Sequence, residues 1–292
     1  MDFTSGNELL AICEKENLKI SEVMLKREVS LGKLSEDEVL KKLTRSLEIM
    51  KESARLSVET PQMSMGGLIG GEARRLFMGI KNNPRNNILG DTLSRAICYG
   101  LSVLEVNSSM GLVVAAPTAG SCGVIPGVLL ALKEKYELSD EEILNGLLNA
   151  SAVGYLFMRN ASVSGAQAGC QAEIGTASAM ASSAIVELLG GSQRDCLGAA
   201  STAISNLLGL VCDPIGGLVE SPCQTRNAIG IGNAFISSEL ALSGIYHIIP
   251  FDEMAEAMLK VGIKLPYELR ETALGGSAST PTACGFKCSS CG

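Results

Sequence analysis

Residues 172–189, AEIGTASAMASSAIVELL, decide the fold class of this chain. The stretch contains no proline and is dominated by alanine and serine, and alanine is the residue that most favours an α-helix. Small side chains also let neighbouring helices approach one another closely. The stretch therefore predicts a helix that packs tightly within an all-α bundle, without the bulky aromatic residues that fill most protein cores.

The sequence on both sides of this stretch also predicts helices. Ser35 and Ser139 each precede three acidic residues in the pattern of a capping box, and we expect Asp252 to be an N-cap. Signals for β-strands are weak, since no sustained alternation of apolar and polar residues occurs. We therefore predict a compact all-α catalytic domain rich in Ala, Gly and Ser, with ligand-binding loops between its helices. The predicted helices include 195–208, 226–243 and 252–264.

Charge density divides the chain into two parts. The first 60 residues carry 22 charged side chains, whereas the 150 residues 101–250 carry only 17. The glycine-rich stretch 63–71 lies between them and has the composition of a hinge. We therefore predict a charged helical segment over residues 1–62 and a catalytic domain over residues 63–292.

Composition argues against several classes of protein. The chain has 292 residues, a formal net charge of −7, 4% aromatic residues and no tryptophan, so a nucleic-acid groove is not expected. The longest uncharged stretch, 106–132, contains too many polar residues and prolines for a membrane span. The first ten residues lack the pattern of a secretory signal. We expect a cytoplasmic protein whose ten cysteines are reduced thiols.

Three cysteines lie in unusual settings. Cys170 follows a glycine-rich turn at the predicted start of a helix, and Cys212 and Cys223 flank a ten-residue loop that contains two prolines. Backbone geometry would hold these thiols in place, and a helix N-terminus favours the thiolate form. Three fixed thiolates suit an iron–sulfur cluster in which one iron lacks a protein ligand. The alternative is that they are buried core thiols, because free cysteine is among the most buried residue types.

The C-terminal tail carries three further cysteines, Cys284, Cys288 and Cys291. Their C-x3-C-x2-C spacing is also that of radical S-adenosylmethionine enzymes, but that motif lies early in a β/α barrel, whereas here a single residue follows it. A zinc site would need a fourth ligand, and the sole histidine is His247. The function of the tail therefore stays open at this point.

Four segments of the chain resemble the α chain of iron–sulfur-dependent bacterial L-serine dehydratase. The resemblance implies a helical fold and a [4Fe–4S] cluster held by Cys170, Cys212 and Cys223, with Cys284 covering the remaining iron when substrate is absent. This chain continues beyond Cys284, and it lacks the regulatory and partner domain of the single-chain members. The resemblance therefore implies a separate β chain, in a heterodimer or a higher assembly. The matching segments are APTAGSCGVIPGVLLAL (116–132), GAQAGCQAEIGTASAMA (165–181), VCDPIGGLVESPC (211–223) and RETALGGSASTPTAC (270–284).

The reaction implied by the resemblance is the deamination of L-serine to pyruvate and ammonia, with the open iron as Lewis acid for loss of the β-hydroxyl. Thr118 and Ser121 form a small polar turn suited to orienting the substrate, or alternatively an ordinary helix cap. Arg159 and Asn160 interrupt a predicted apolar helix and are candidates for binding the substrate carboxylate, with a partly buried structural ion pair as the alternative.

Two further side chains, Glu173 and His247, are candidates for the same site. Glu173 is either a residue that supports the cluster or a first-turn helix acid. His247, beside an apolar run, is more typical of a packing residue than of a general base. We expect the base to come from the partner chain.

Other functions remain open on the sequence alone. A pyridoxal-phosphate dehydratase would need a Schiff-base lysine near a phosphate-binding glycine loop, but no lysine occurs between Lys135 and Lys260. We therefore expect no pyridoxal phosphate. An iron–sulfur electron-transfer or redox-sensing subunit is the principal alternative, and it would hold its cluster with four permanent protein ligands. A purely structural interaction subunit would bind no iron.

Overall fold

The computed structural model describes residues 1–286, and within them the chain forms α-helices joined by short 3₁₀ turns, with no β-strand. The predicted all-α fold class is confirmed. Cys288 and Cys291, whose function the sequence leaves open, lie outside the described residues. The helices are α1 (Gly6–Glu16), α2 (Ile20–Gly32), α3 (Glu36–Glu59), α4 (Glu72–Asn82), α5 (Gly90–Ser108), α6 (Val124–Tyr136), α7 (Asp140–Asn160), α8 (Gly165–Ala168), α9 (Thr176–Leu188), α10 (Gln193–Asn206), α11 (Cys223–Leu242), α12 (Phe251–Lys264) and α13 (Pro281–Cys284).

Local capping signals place the starts of α3 and α7 correctly. The hydroxyls of Ser35 and Ser139 accept hydrogen bonds from the backbone N–H groups of Glu38 and Glu142, both at 3.2 Å. Each glutamate carboxylate in turn accepts from the backbone N–H of its serine, which completes the two predicted capping boxes. These boxes depend only on residues three positions apart, so the sequence alone reveals them.

The predicted N-cap role of Asp252 is wrong. Pro250 is the N-cap of α12, and Asp252 lies within its first turn. The Asp252 carboxylate instead accepts hydrogen bonds from the backbone N–H groups of Gly6 and Asn7, at 2.7 and 3.0 Å. It therefore caps the N-terminus of α1, 246 residues earlier in the chain.

Helix α9 lies in the core, as its small side chains predict. Every residue from Thr176 to Glu187 is buried, and the helix packs against α6, α7, α10 and α11. The stretch 172–189 is not one regular helix, however, because a π-helical turn over Gln171–Gly175 precedes α9. This turn immediately follows Cys170.

Helices α5 and α6 cross with their backbones in close contact. A Cβ atom added at Gly123 would lie 2.3 Å from the carbonyl oxygen of Gly100, and one added at Gly127 would lie 2.6 Å from that of Ala96. Neither oxygen can move away without moving its helix, so glycine is required at both positions. The crossing fixes the start of α6 and the turn before it.

The N-terminal helices share one apolar core with the rest of the chain. Helix α2 packs on α7, and α3 packs on α5. Phe3, Leu9 and Leu47 are buried in the same cluster as Ile174 of the π-helical turn. The division into residues 1–62 and 63–292 stays a prediction.

The glycine-rich stretch 63–71 folds around one buried carboxylate. Glu220, which is 2% exposed, accepts hydrogen bonds from the Ser64 hydroxyl at 2.6 Å and from the backbone N–H groups of Gly66 and Leu68 at 2.6 and 3.0 Å. Because Glu220 lies in the loop between Cys212 and Cys223, the stretch is joined directly to the predicted metal-binding segment.

The long uncharged stretch 106–132 is divided between three elements. It includes the end of α5, the loop through Pro117 and most of α6. Within residues 1–286, none of the helices combines the length and the apolar character that crossing a bilayer requires.

Candidate metal centre

Cys170 is held by the residue that follows it. The Gln171 side-chain amide donates to the carbonyl oxygens of Ala168 and Met258, and its oxygen accepts from the backbone N–H of Gly209 at 2.8 Å. The backbone N–H of Gln171 also donates to the carbonyl of Leu210 at 2.9 Å. Three separate parts of the chain therefore position Cys170, which is only 2% exposed.

Cys212 and Cys223 flank the ten-residue segment 213–222, which forms the second part of the connection between α10 and α11. The backbone of Cys212 donates to the carbonyl of Leu269 at 2.9 Å and accepts from the N–H of Glu271 at 2.7 Å. Cys223 is the first residue of α11. Both thiols are buried, so backbone hydrogen bonds and helix packing, rather than side-chain flexibility, set their positions.

Cys170 and Cys212 come together with a carboxylate. One carboxylate oxygen of Glu173 and the two sulfur atoms all lie within 4.8 Å of one another, and Oε2 of Glu173 is 4.0 Å from Sγ of Cys212. Cys223 is not part of this tight group. It is close enough, however, that the charges of Cys170 and Glu173 act on its thiol.

Burial and mutual repulsion oppose ionisation of these groups. The pKa of the Cys212 thiol is raised well above its ordinary value, first by its hydrogen bond with Cys170 and then by burial. Burial, followed by the charge of Cys170, raises the pKa of Cys223 to about 12. Burial also raises the pKa of the Glu173 carboxyl. A bound cation would reverse this balance, because metal binding requires the deprotonated ligands.

A polar turn covers the carboxylate from the opposite side. The Thr118 hydroxyl donates to Oε1 of Glu173 at 2.7 Å, and the hydroxyls of Thr118 and Ser121 are 3.1 Å apart. Asn227 fixes this turn, since its amide donates to the carbonyls of Gly120 and Cys223 while its oxygen accepts from the N–H of Gly123. The turn is thus both a helix cap and a wall of the site.

Arg226 supplies positive charge beside the cysteines. Its guanidinium donates to the carbonyl of Val211 at 2.8 Å and to the Asp213 carboxylate at 2.5 Å. Burial acts to lower the pKa of Arg226, but the charges of Cys170 and Asp213 raise it overall. Asp213 also accepts from the N–H and the hydroxyl of Ser277, which ties the segment after α12 to the loop that carries Cys212.

Sequence reasoning did not single out Arg226, Asp213 or Asn227. Asp213 directly follows Cys212, and Arg226 and Asn227 lie three and four residues after Cys223, on the first turn of α11. Polar and charged side chains at such short distances from two candidate ligands were an available signal.

Two predicted site residues have no described contact with this group. Asn160 is exposed, and its amide donates to the carbonyl of Thr4 at 2.7 Å. Arg159 and Asn160 end α7 rather than interrupting it, and Arg159 is exposed rather than partly buried. The predicted role of Asn160 in substrate binding stays a prediction.

Cys284 and His247 likewise have no described contact with the group. Cys284 ends α13, is exposed, and has its sulfur 3.9 Å from the carbonyl oxygen of Ala278. The His247 ring accepts from the backbone N–H of Ile249 at 3.1 Å, in the loop between α11 and α12. The predicted capping role of Cys284 stays a prediction.

The donor set fits an iron–sulfur cluster. Thiolates are soft ligands that iron–sulfur clusters select, and here two of three candidate thiols lie together, buried, on short loops stiffened by glycine and proline. The geometry can thus hold a metal centre at the junction of α9, α11 and the loop after α10.

Comparison with known proteins gives the family. The sequence model of the family described as serine dehydratase alpha chain matches residues 15–278. The chain is 43% identical to the L-serine dehydratase alpha chain of Peptoniphilus asaccharolyticus, over 95% of this chain and 94% of that one. It is 41% identical to a probable L-serine dehydratase alpha chain of Bacillus subtilis, over 96% and 92% of the two chains.

A longer relative covers the same region. The chain is 36% identical to the L-serine dehydratase of Helicobacter pylori over 96% of its own length, but it spans only 62% of that protein. A match over most of both lengths, on segments that include the three buried cysteines, identifies the chain as a member of the serine dehydratase alpha chain family.

Proposed function

We propose that this chain is the catalytic subunit of an L-serine dehydratase, an ammonia-lyase that converts L-serine to pyruvate and ammonia. The observation that carries the proposal is the buried group of Cys170, Cys212 and Glu173, which lies within the part of the chain shared with the named dehydratases. An electron-transfer or redox-sensing role is not favoured, because the relatives are named as dehydratases.

We propose that Cys170, Cys212 and Cys223 hold a [4Fe–4S] cluster and release their thiol protons when it binds. The bound cluster supplies a Lewis-acidic iron that makes the β-hydroxyl of serine a better leaving group. Arg226 would offset part of the negative charge of the thiolates, since Cys170 and Arg226 interact in the structure.

Thr118 is the residue of the polar turn best placed to meet the substrate. Its hydroxyl proton is directed to Oε1 of Glu173 and one lone pair faces the Ser121 hydroxyl, so its second lone pair can accept a hydrogen bond from the substrate ammonium group. Ser121 is fully buried beneath it and orients Thr118 instead of reaching the substrate. The proposed carboxylate-binding role of Asn160 comes only from its place beside Arg159 in the sequence, since its described hydrogen bond is to the carbonyl of Thr4.

We also propose a separate β chain as partner and as the source of the general base. Two relatives are named alpha chains, and the longer relative has an additional third of its length beyond the region matched here. Reduced thiols suit the cytoplasm, and the cysteines among residues 1–286 form no disulfide. An iron that lacks a protein ligand would make the enzyme sensitive to oxygen.

The test is anaerobic purification of the full chain with and without a candidate β chain, followed by iron analysis and a pyruvate assay. We expect about four irons per chain, following the proposed cluster type, and serine-dependent pyruvate in the complex. Cys212→Ala should abolish both, whereas Cys98→Ala, which removes a buried thiol from α5, should abolish neither. Iron-free complex that still forms pyruvate would refute the metal-dependent mechanism.

The same assay tests the location of the base and the role of the tail. The isolated chain, reconstituted with iron and sulfide, should not reach the rate of the complex if the base comes from the partner. Cys284→Ala should retain both cluster and turnover. Loss of the cluster in that variant would favour a fully ligated electron carrier instead.

A further inference from the structure

The segment between α5 and the polar turn, residues 112–117, makes no backbone hydrogen bond within the part of the chain that the structure describes. From Gly111 to Ala115 the backbone runs without a turn or a bend. Backbone N–H and carbonyl groups in folded proteins nearly always have a partner, in the protein or in water. A straight run of unpaired groups is equivalent to the free edge of a sheet, which is a template for pairing with another chain.

The side chains on and around this segment are apolar and exposed. Leu112 is 62% exposed, and Met110 is 76% exposed. Met65, at 66%, lies near Met110, because its backbone N–H donates to the carbonyl of Ser108 at 2.9 Å. Methionine side chains adapt to the shape of a partner and are frequent on binding surfaces. We call residues 112–117, together with Met65 and Met110, the apolar strip.

A cavity of about 470 Å³ lies alongside the apolar strip. Residues 114–117 form one of its walls, and helices α2, α3 and α7 form most of the others. Apolar side chains such as Leu43 and Met158 line it, and Met158 is itself 65% exposed. An extended segment of another protein binds in this kind of place, where main-chain hydrogen bonds supply affinity and neighbouring pockets receive its side chains.

The apolar strip ends at the candidate metal centre. Pro117 directly precedes Thr118, whose hydroxyl donates to Glu173. The side-chain amide of Asn107, at the end of α5, donates to the carbonyl of Ala119 in the same turn at 3.3 Å. A chain that pairs with residues 112–117 is therefore held next to the wall of the site, where the proposed function requires a partner to act.

We propose that the apolar strip is the docking surface of the β chain, which adds an extended apolar segment along residues 112–117 and places side chains in the cavity. The inference rests on the proposed function. This chain spans only 62% of the Helicobacter pylori dehydratase, so that relative contains the further chain that such a segment requires. A second copy is disfavoured as the occupant, because each copy carries a net charge of −7.

The first measurement is amide hydrogen exchange of the full chain by mass spectrometry, alone and with the candidate β chain. Peptides covering 112–116 should exchange rapidly in the chain alone. In the complex, the amides that pair with the added segment should exchange at least about tenfold more slowly, since they gain hydrogen-bond partners. The loop residues 246–248 are the internal control, because their backbone N–H groups also have no described hydrogen bond, and their exchange should stay unchanged.

The second measurement is the affinity of two variants for the β chain by titration calorimetry. Leu112→Asp places a charge on the apolar strip and should weaken binding by about tenfold or more, the usual effect of losing an anchor residue. Ile248→Asp is the matched control, since Ile248 is 94% exposed in the loop between α11 and α12, and it should bind as wild type does. Circular dichroism checks that both variants are folded.

Three results would overturn the inference, and they have different meanings. If the β chain binds wild type but the exchange of 112–116 or the affinity of Leu112→Asp is unchanged, the docking surface is wrong while the proposed function stands. If 112–116 are already protected in the chain alone, a second copy or another segment of this chain occupies the apolar strip. If wild type binds no β chain, the proposed partner fails and the docking surface fails with it.

Discussion

The site requires a residue without a Cβ atom at position 165. Helix α8 brings this residue against both Glu173 and Cys212, at distances that only a backbone without a side chain allows. The carboxylate and the thiol each have little room, because both are buried and are held from other sides by Thr118 and by the backbone of 269–271. Gly165 is therefore part of the site although it offers no ligand atom.

Gly165→Ala should displace Glu173 or Cys212, because neither can retreat without losing the contacts that hold it. We expect a loss of about 1–3 kcal/mol in the free energy of unfolding, the usual cost of overpacking, together with lower iron content. Gly79→Ala is the control, since an added Cβ there meets nothing within 4 Å. Urea unfolding and iron analysis measure both effects. Wild-type iron content in Gly165→Ala would show that the close packing is dispensable.

Glu105 is a second buried carboxyl, outside the site. It is 0% exposed and accepts hydrogen bonds from the backbone N–H groups of Gly71 and Ala73 at the start of α4. Burial raises the pKa of this carboxyl, with a further contribution from nearby Glu72. The folded chain therefore keeps the Glu105 proton to a higher pH than the unfolded chain does.

The contribution of Glu105 to the free energy of unfolding should therefore be largest below about pH 4.3, the ordinary glutamate pKa. It should decrease as pH rises through the pKa of the carboxyl in the folded chain. Glu105→Gln removes this titration, so the free energy of unfolding of the variant should increase relative to that of wild type as pH rises. Urea unfolding at a series of pH values gives the comparison, and exposed Glu141→Gln controls for the loss of one charge. A constant difference between Glu105→Gln and wild type across the series would contradict this prediction.

At the level of single residues, the sequence indicates the candidate ligands more readily than the side chains around them. Cys170, Cys212 and Cys223 were singled out from their turns and from the family resemblance, and the structure places two of them together. The contact between Thr118 and Glu173 joins residues 55 positions apart. No local pattern predicts such a contact, because it depends on how α6 and α9 pack.

Among the secondary-structure elements, α5 and α6 show how glycine serves packing rather than flexibility. Gly127 lies in the interior of α6, where alanine would be the better helix former by about 1 kcal/mol. The contact with the carbonyl of Ala96 outweighs that preference. Helix propensity alone would therefore give the wrong sign for a substitution here.

Gly127→Ala should lower the free energy of unfolding by about 1–3 kcal/mol despite its higher propensity. Gly232→Ala, in the interior of α11 with nothing within 4 Å of the added Cβ, should instead leave stability unchanged or raise it by up to about 1 kcal/mol. Urea unfolding distinguishes the two. Equal stabilities would mean that the crossing of α5 and α6 can relax.

Helix starts were predictable where the capping partner is local. Ser35 and Ser139 cap through residues three positions away, and both predictions are confirmed. Asp252 has the same chemistry, but its partners are the N–H groups of Gly6 and Asn7. The π-helical turn over 171–175 was missed for a related reason, since the backbone N–H of Gln171 bonds to Leu210 in a distant loop.

At the scale of the whole molecule, the charged N-terminal helices cover the apolar faces of the helices behind them. Leu47, Met50 and Ala54 of α3 are buried, and α3 packs on α5. The high charge density of this segment is thus a property of its outer surface only. Its inner surface completes the core.

A fragment of residues 63–292 should therefore not fold into a cooperative unit. Removal of α1, α2 and α3 would expose the buried faces of α5 and α7, so we expect aggregation or a broad thermal transition by circular dichroism, and no bound iron. Adding residues 1–62 as a separate chain should restore part of the transition. A soluble fragment with a sharp transition would instead support 63–292 as an autonomous domain.

The carboxylate of Asp252 at the N-terminus of α1 has a consequence for biosynthesis. Ribosomes add about 5–20 residues per second, so Gly6 and Asn7 are synthesised roughly 12 to 50 s before the aspartate that accepts hydrogen bonds from their amide groups. Helix α1 of the nascent chain therefore completes its N-terminal hydrogen bonds only after the first turn of α12 has been synthesised.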